Sequence, residues 1–197
     1  MPVPVERTGR PYTFKERKLT ASELEYWQQY GITSEILEQY KVCSVVQFQS
    51  ENADGNPFSY SSTKEEPIYG YKNKRFIKLY RPFSKTRFLY GGNIGESYCF
   101  GLEQLPSKGD TLFITGGEKD VLSLAAKGFH AICFNSETVT VPPNIIYKLT
   151  FRFKHIILLY DMDATGIESA KKHEKQLCEY GVKRLLLPLQ GTKTEKD

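Results

Sequence analysis

The second half of the sequence alternates short apolar runs with helical patterns, and this alternation constrains the fold more than any other feature. Apolar runs typical of buried strands lie at Thr111–Thr115, Ala131–Phe134, Ile156–Tyr160 and Val182–Leu187. The segments between them are predicted helices, the middle one helical or irregular: Lys119–Lys127, Pro143–Thr150 and Ile167–Tyr180. Strands without polar alternation that are separated by helices are typical of a parallel sheet with helices on both faces. We therefore predict an α/β domain over residues 107–197.

Residues 1–106 show a different pattern, which predicts a small α+β subdomain. Short helices are expected at Ser22–Gln29 and Ser34–Tyr40, the first with Ser22 and Glu25 as a capping box. From residue 42 to residue 100, short strand-like runs alternate with turn-rich segments, and the runs are Val45–Phe48, Ile68–Tyr71, Phe76–Tyr80 and Arg87–Tyr90. This part should form a mostly antiparallel sheet.

The charge of this first part is unevenly distributed, although the net charge of the chain is only +4. No Asp or Glu occurs between Glu66 and Glu96, and the cations there are interleaved with aromatic residues. Cations can meet phosphates while bases stack on aromatic rings, as single-strand binders require. The candidate nucleic-acid-binding residues are Arg75, Lys78, Arg81, Lys85 and Arg87. Alternatively, the sheet is simply two-faced, with aromatic residues inside and a solvated basic side outside.

Membrane and zinc-binding classes are not supported by the sequence. No apolar run approaches the roughly 18–20 residues that span a bilayer, and Met1–Arg10 lacks the apolar core of a signal peptide. We therefore expect a cytoplasmic protein without a membrane partner. The four cysteines are far apart in sequence, and none belongs to a pair that could begin a zinc site.

The segment from His155 to Gly166, HIILLYDMDATG, carries the strongest chemical signal. A buried strand delivers Asp161 and Asp163 to its carboxyl end, and their spacing of two on an extended chain puts both carboxylates on one side. Such a pair suits Mg²⁺ (or Mn²⁺), which binds a few carboxylate oxygens and keeps other positions for water and substrate phosphates. The alternative is that both acids are solvated loop residues that cap the next helix.

A second segment, LFITGGEKDVLSLAAKG from Leu112 to Gly128, follows the same logic. A strand enters a Gly116–Gly117 turn and then a helix whose first turn carries Glu118 and Asp120. Acids are common in a first helical turn because they favour the helix dipole, so capping alone could explain them. Glu137 follows the second strand and is a further candidate at the same sheet edge.

Together these motifs resemble the Toprim domain of primases, type II and IA topoisomerases and related nucleases. They are most similar to primases of the phage and mitochondrial primase-helicase type, whose motif is approximately EGExDxLSL followed by DxDxxG. Here the letters are GGEKDVLSL from residue 116 and DMDATG from residue 161. The resemblance covers about Leu112–Leu187 and implies that Asp161, Asp163 and Asp120 bind the metal.

The resemblance also implies a function. It predicts Mg²⁺-dependent synthesis of RNA primers from nucleoside triphosphates on a single-stranded DNA template, in phage, plasmid or mobile-element replication. A basic subdomain before the Toprim domain would hold the template, and a replicative helicase, in the same or another chain, is a further predicted partner.

One departure from the family pattern leaves two interpretations open. The Glu that opens the family motif falls on Gly116 here. If the strand stays extended through Gly117, Glu118 points to the same side and is the substitute catalytic residue. If the chain turns at the glycine pair, Glu118 belongs to the helix start, and the protein is a catalytically lapsed module that binds nucleic acid. The last family feature, an acid preceded by Lys, would be Lys196–Asp197.

Two other classes remain as minor alternatives. One is a fragment of a Toprim nuclease or topoisomerase. The other is a haloacid-dehalogenase-type phosphohydrolase, because Asp161–Thr165 satisfies DxDxT, but only 32 residues follow Thr165, too few for the rest of that fold.

Overall fold

The chain forms two compact units, residues 1–95 and 96–197. The computed structural model describes residue 9 and residues 11–52, 54–95 and 98–189, so Lys196–Asp197 lies outside the described residues. The division falls earlier in the chain than the expected boundary after residue 106, because the segment from Tyr98 to Leu105 packs in the second unit. Phe100 forms a β-bridge with Cys133, and Leu105 belongs to the core of the second unit.

The first unit is a six-stranded antiparallel sheet with two short helices. Its elements are β1 (Tyr12–Arg17), α1 (Ala21–Gln28), α2 (Ser34–Gln39), β2 (Val42–Glu51), β3 (Pro57–Ser61), β4 (Tyr69–Lys72), β5 (Phe76–Tyr80) and β6 (Phe88–Gly92). The strand order is β1-β2-β4-β5-β6, and β3 pairs with β2. The antiparallel sheet predicted from the sequence is confirmed, and β1 and β3 are additions to it.

The cap of α1 lies two residues before the predicted one. Thr20 is the N-cap: its side chain accepts a hydrogen bond from the Glu23 amide, and the Glu23 carboxylate accepts one from the Thr20 amide at 2.7 Å. Glu23 is buried and also accepts hydrogen bonds from Ser44, at 2.7 Å, and Arg17, at 3.2 Å. The predicted Ser22–Glu25 box is wrong because tertiary contacts fix Glu23 rather than Glu25 as the capping acid.

The second unit is the predicted parallel sheet with flanking helices. Its elements are β7 (Gly109–Thr115), α3 (Glu118–Ala126), β8 (His130–Cys133), α4 (Pro143–Thr150), β9 (Phe153–Leu159), α5 (Ala164–Gln176) and β10 (Lys183–Arg184). The strand order is β10-β9-β7-β8, with every pair parallel. The last strand is shorter than expected, since only two of its residues pair with β9.

The order of these strands determines where a site can form. After β7 the chain moves to one side to form β8 and then crosses to the other side to form β9. The carboxyl ends of β7 and β9 therefore border a topological switch point, where open α/β sheets bind their ligands. Fully buried side chains, including Leu112, Ile114, Ile132 and Leu158, hold the strands in place beneath this edge.

Among the helices of the described residues, none combines the length and apolar character needed to cross a bilayer.

Candidate functional site

The loop after β7 turns at the glycine pair. β7 ends at Thr115, whose hydroxyl donates a hydrogen bond to the carbonyl oxygen of Gly117 at 3.1 Å. Gly117 is the N-cap of α3, and Glu118 is the first residue of that helix. Glu118 therefore belongs to the helix start, as the second interpretation of the motif has it, but the backbone of Gly117 is extended, with φ −154° and ψ 169°, as the first interpretation requires.

Glu118 is enclosed rather than presented at the sheet edge. Its side chain is only 2% exposed, and its Oε1 accepts a hydrogen bond from the Tyr98 hydroxyl at 2.6 Å. The atoms nearest to the side-chain position of Gly116 come from other residues. None of the three atoms nearest to that position belongs to Glu118, and a catalytic role of Glu118 stays a prediction.

Asp120 lies in the first turn of α3, two residues after Glu118. A Cβ placed on Gly117 would be 3.5 Å from Oδ2 of Asp120. The carboxylate of Asp120 therefore lies over the second glycine of the turn.

The loop after β9 carries the other two predicted acids. Asp163 is the N-cap of α5, and its Oδ1 accepts a hydrogen bond from the Gly166 amide at 2.8 Å. Asp163 thus has the capping role that the alternative interpretation expected. Asp161 lies two residues earlier, immediately after the buried Tyr160.

Carboxylate oxygens from two different loops lie within 4 Å of the side-chain position of Gly116. A Cβ placed there would lie 3.2 Å from Oε2 of Glu137 and 3.9 Å from Oδ1 of Asp161. Oε2 of Glu137 is buried from solvent. The space beside this glycine is therefore bordered by acidic groups that arrive from the ends of β8 and β9.

The predicted metal ligands do not form one cluster. Within residues 11–52, 54–95 and 98–189, no three His, Cys, Asp or Glu side chains are grouped closely enough to hold a metal ion. Binding of a metal ion by Asp120, Asp161 and Asp163 together stays a prediction from the sequence. Mg²⁺ needs only one or two protein carboxylates when water and substrate phosphates complete its shell, so the Asp161 carboxylate beside Gly116 is of a type that fits such an ion.

A buried polar pair lies next to Asp161 in sequence. The Tyr160 hydroxyl and Nδ1 of His173 are 3.0 Å apart, and both side chains are buried. Burial, and then the negative charge of Glu137, raise the pKa of Tyr160, so its phenol stays protonated. Burial, and then the positive charge of Lys172, lower the pKa of His173, which favours a neutral ring that accepts the tyrosine hydrogen bond.

This pair predicts a pH dependence of stability. Because the pKa of His173 is lower in the folded than in the unfolded chain, the neutral ring contributes stability that is complete above pH of about 6.5. That contribution is lost as the pH falls below this value. We expect the melting temperature of the native protein to fall more between pH 7.5 and pH 5.5 than that of His173→Gln. Equal falls in the two proteins would contradict the prediction.

The five predicted nucleic-acid-binding residues of the first unit separate into two groups. Arg75, Lys85 and Arg87 are exposed, whereas Lys78 is 2% and Arg81 8% exposed. The Lys78 ammonium lies 4.7 Å from the centre of the Phe88 ring, and the Arg81 guanidinium lies 4.3 Å from that of Tyr60. Lys78 and Arg81 therefore pack against aromatic rings, and their binding to phosphate stays a prediction from the sequence.

Aromatic rings are exposed beside the remaining cations. Phe83 is 62%, Phe88 39% and Tyr90 40% exposed. Phe88 and Tyr90 lie on one face of β6 because they are two residues apart on a strand. We call Phe83, Lys85, Arg87, Phe88 and Tyr90 the β6 surface.

The comparison with known proteins identifies the class of the second unit. Residues 113–197 match the model of the Toprim-like family. The C-terminal part of the chain therefore carries a Toprim-like domain, as the motifs predicted. None of the curated protein sequences matches the chain significantly.

Solved structures extend the likeness to both units. A chain of the bacteriophage T7 lagging-strand DNA polymerase structure, which includes primase domains bound to an RNA/DNA hybrid and dTTP, matches with a TM-score of 0.57 and 16% identity, over 92% of this chain and 84% of that one. The DnaG catalytic core matches with a TM-score of 0.66 and 18% identity, over 88% of this chain and 67% of that one. The Escherichia coli primase catalytic core matches with a TM-score of 0.63 and 16% identity, over 89% of this chain and 68% of that one. At these identities the likeness establishes a primase-core fold.

Proposed function

We propose that this protein is a primase-type nucleotidyltransferase that makes RNA primers on single-stranded DNA in phage, plasmid or mobile-element replication. The observation that carries the proposal is the acidic edge beside Gly116, which lies at the switch point of a Toprim-like sheet in a chain with a primase-core fold. Single-stranded DNA and nucleoside triphosphates are the proposed ligands. A replicative helicase partner and a cytoplasmic location remain predictions from the sequence.

In this proposal the acidic edge holds Mg²⁺ or Mn²⁺. Asp161 is the principal ligand because its Oδ1 faces the space beside Gly116, with Asp163 and Asp120 as the other proposed ligands. A divalent ion supplies charge neutralisation for the attacking and leaving oxygens of phosphoryl transfer. The chain itself fixes the orientation of this edge, since Asp163 caps α5 through Gly166 and so sets the path of the loop that carries Asp161.

Glu118 has a proposed role that differs from that of a substitute catalytic residue. A charge-assisted hydrogen bond from Tyr98, at 2.6 Å, fixes its carboxylate inside the second unit. Glu118 then positions the start of α3, and with it Asp120, rather than exchanging a proton with substrate. Activity that is lost in Glu118→Gln with unchanged stability and Mn²⁺ affinity would restore the catalytic assignment.

A catalytically lapsed module that binds nucleic acid is the second candidate function. It is favoured by the position of Glu118 at the helix start, where its buried side chain accepts a hydrogen bond from Tyr98. Both candidate functions include binding of nucleic acid, but only the primase-type enzyme also catalyses nucleotidyl transfer.

Templated dinucleotide synthesis separates the candidates. The assay incubates the protein with short single-stranded DNA templates, labelled nucleoside triphosphates and Mn²⁺, and it follows labelled dinucleotides on a gel. Product that depends on both template and Mn²⁺ supports the enzyme. Binding of single strands without any product, over a range of templates, supports the lapsed module and contradicts the primary proposal.

The β6 surface, together with the exposed Arg75, leads to a prediction for single-strand binding. The triple variant Arg75→Ala, Lys85→Ala and Arg87→Ala should bind single-stranded DNA more weakly, with a shallower dependence of log K on log salt. Each lost phosphate contact should reduce that slope by about 0.7. Fluorescence anisotropy with a labelled oligonucleotide, at several salt concentrations, measures both quantities.

A matched control removes the same charge elsewhere in the first unit. Lys15, Lys18 and Lys64 are exposed cations outside the β6 surface, and their triple alanine variant should keep the native slope. Equal slopes in the two triple variants would show that charge, rather than this surface, governs binding. Arg81→Ala should instead lower the free energy of unfolding, because its side chain packs on Tyr60 and contacts Glu66.

A further inference from the structure

The buried pair of Tyr160 and His173 ties the end of β9 to α5. Tyr160 is the residue between β9 and Asp161, and its hydroxyl lies 3.0 Å from Nδ1 of His173. The two rings also pack edge to face, with centroids 5.7 Å apart and an interplanar angle of 84°. Tyr160 is 4% exposed and His173 0%, so water does not compete for this hydrogen bond. A buried hydroxyl that lost its partner here would leave a polar group unsatisfied.

This polar pair gives the contact between β9 and α5 a defined position. Tyr160 belongs to one apolar cluster with Ala170 and Leu177, which lie three residues before and four after His173 on the same face of α5. Apolar packing of this kind is non-directional and holds the strand end against the helix without fixing its exact place. A hydrogen bond is directional and requires the Tyr160 hydroxyl to lie at one nitrogen of one ring. The pair therefore fixes where β9 ends relative to α5.

The same face of α5 also meets the backbone of Asp161. Gly166 lies seven residues before His173, which is close to two full turns of helix, so the two residues share a face. A Cβ on Gly166 would overlap the carbonyl oxygen of Asp161 and lie 3.0 Å from its amide nitrogen. Asp163 joins the same contact, since its Oδ1 accepts a hydrogen bond from the Gly166 amide at 2.8 Å. The loop that carries Asp161 is thus held on α5 at both ends, by Gly166 after it and by His173 through Tyr160 before it.

We propose that Tyr160 and His173 are positioning residues of the candidate site, and that their hydrogen bond holds the backbone that directs the Asp161 carboxylate to the space beside Gly116. The inference rests on the proposed function and makes it more specific, because it names the residues that fix the principal ligand. Neither residue is a ligand in this proposal, and both act through the backbone of Asp161.

The test measures Mn²⁺ affinity by calorimetry at pH 7.5, at a temperature where circular dichroism shows every variant to be folded. Tyr160→Phe keeps the ring and removes the hydroxyl, and it should weaken Mn²⁺ binding about tenfold. His173→Leu should have a similar effect. The double variant should lose no more than either single variant, because the second substitution acts on a hydrogen bond that is already broken. His173→Asn should recover most of the affinity, since its side-chain oxygen can take the place of Nδ1 as the acceptor.

Glu174→Ala is the matched control on the same helix. Glu174 follows His173, and its carboxylate forms an ion pair with Arg184 at 3.0 Å and accepts a hydrogen bond from the Arg184 amide at 3.1 Å. These contacts tie α5 to β10 and not to the Asp161 loop. The variant should therefore melt at a lower temperature and bind Mn²⁺ as the native protein does.

Hydrogen exchange without metal provides a readout that does not depend on Mn²⁺. In Tyr160→Phe the amides of residues 161–166, followed by mass spectrometry, should exchange at least about tenfold faster, while those of β7 keep their native rates. If Tyr160→Phe melts at a lower temperature but binds Mn²⁺ like the native protein, the pair is only structural and the inference is overturned, while the proposed function stands. If the native protein itself fails to bind Mn²⁺ at millimolar concentration, the proposed metal site is overturned. Native exchange rates in Tyr160→Phe would then overturn the positioning role as well, and faster exchange would support it.

Discussion

Replacing Asp161 and Asp163 together by asparagine is expected to weaken Mn²⁺ binding by more than about a hundredfold and to leave the fold intact. Asp161 presents its Oδ1 to the space beside Gly116, and Asp163 is the second acid of the same loop. Asparagine preserves the size of both side chains and removes two negative charges. It also preserves the cap of α5, because asparagine and aspartate are equally good N-caps.

Calorimetric titration measures the Mn²⁺ affinity of this double variant, and urea unfolding measures the stability of its fold. Asp54→Asn with Asp110→Asn removes the same charge from exposed positions and should leave Mn²⁺ binding unchanged. Asp163→Ala, in contrast, loses the hydrogen bond to the Gly166 amide and should cost about 1 kcal/mol of stability. Native Mn²⁺ affinity in the double asparagine variant would exclude this loop as a metal site.

Most of the second unit could be predicted from the sequence because its signals are local. Apolar strands, intervening helices and the glycine pair each depend on a few neighbouring residues, and the parallel sheet follows from their order. The acids after β9 were found in the same way, since a strand end fixes where Asp161 and Asp163 lie. Asp163 is a predicted metal ligand and the observed N-cap of α5. Both roles require an acid at this position, so its spacing in the sequence does not distinguish them.

The parts of the site that could not be predicted depend on contacts between distant segments. Whether Glu118 faces the sheet edge was undecided, because a glycine pair permits both an extended and a turned chain. Glu137 was recognised as a residue at the right edge, but only the fold shows that it reaches the side-chain position of Gly116.

Side-chain exposure in the first unit also depends on contacts between distant segments. Every residue of β5 is buried: Ile77 and Leu79 belong to an apolar cluster with Val45 and Phe48, and Tyr80 packs against Trp27. Lys78 therefore cannot project into solvent, although a strand with one exposed face would have allowed it. The strands β1 and β3 are not predicted from the sequence, because they are largely exposed and lack the apolar runs that mark buried strands.

Gly166→Ala is expected to destabilise the protein by about 1–3 kcal/mol or more, although alanine is the better helix former by about 1 kcal/mol. Gly166 lies in the first turn of α5, and a Cβ there would overlap the carbonyl oxygen of Asp161 and lie 2.9 Å from its carbonyl carbon. These are backbone atoms, which cannot rotate away as the end of a flexible side chain can. The clash is relieved only if the Asp161 loop moves or the helix start unwinds.

Either response displaces Asp161 from the space beside Gly116, so the loss of stability should be accompanied by weaker Mn²⁺ binding. Thr165→Ala is the control, because Thr165 is exposed in the same turn and its replacement should change the free energy of unfolding by less than about 0.5 kcal/mol. Urea unfolding and Mn²⁺ titration of both variants make the comparison. A stable Gly166→Ala protein with native Mn²⁺ affinity would contradict the close packing of α5 on Asp161, and with it the argument that glycine is needed here to hold the acidic edge in place.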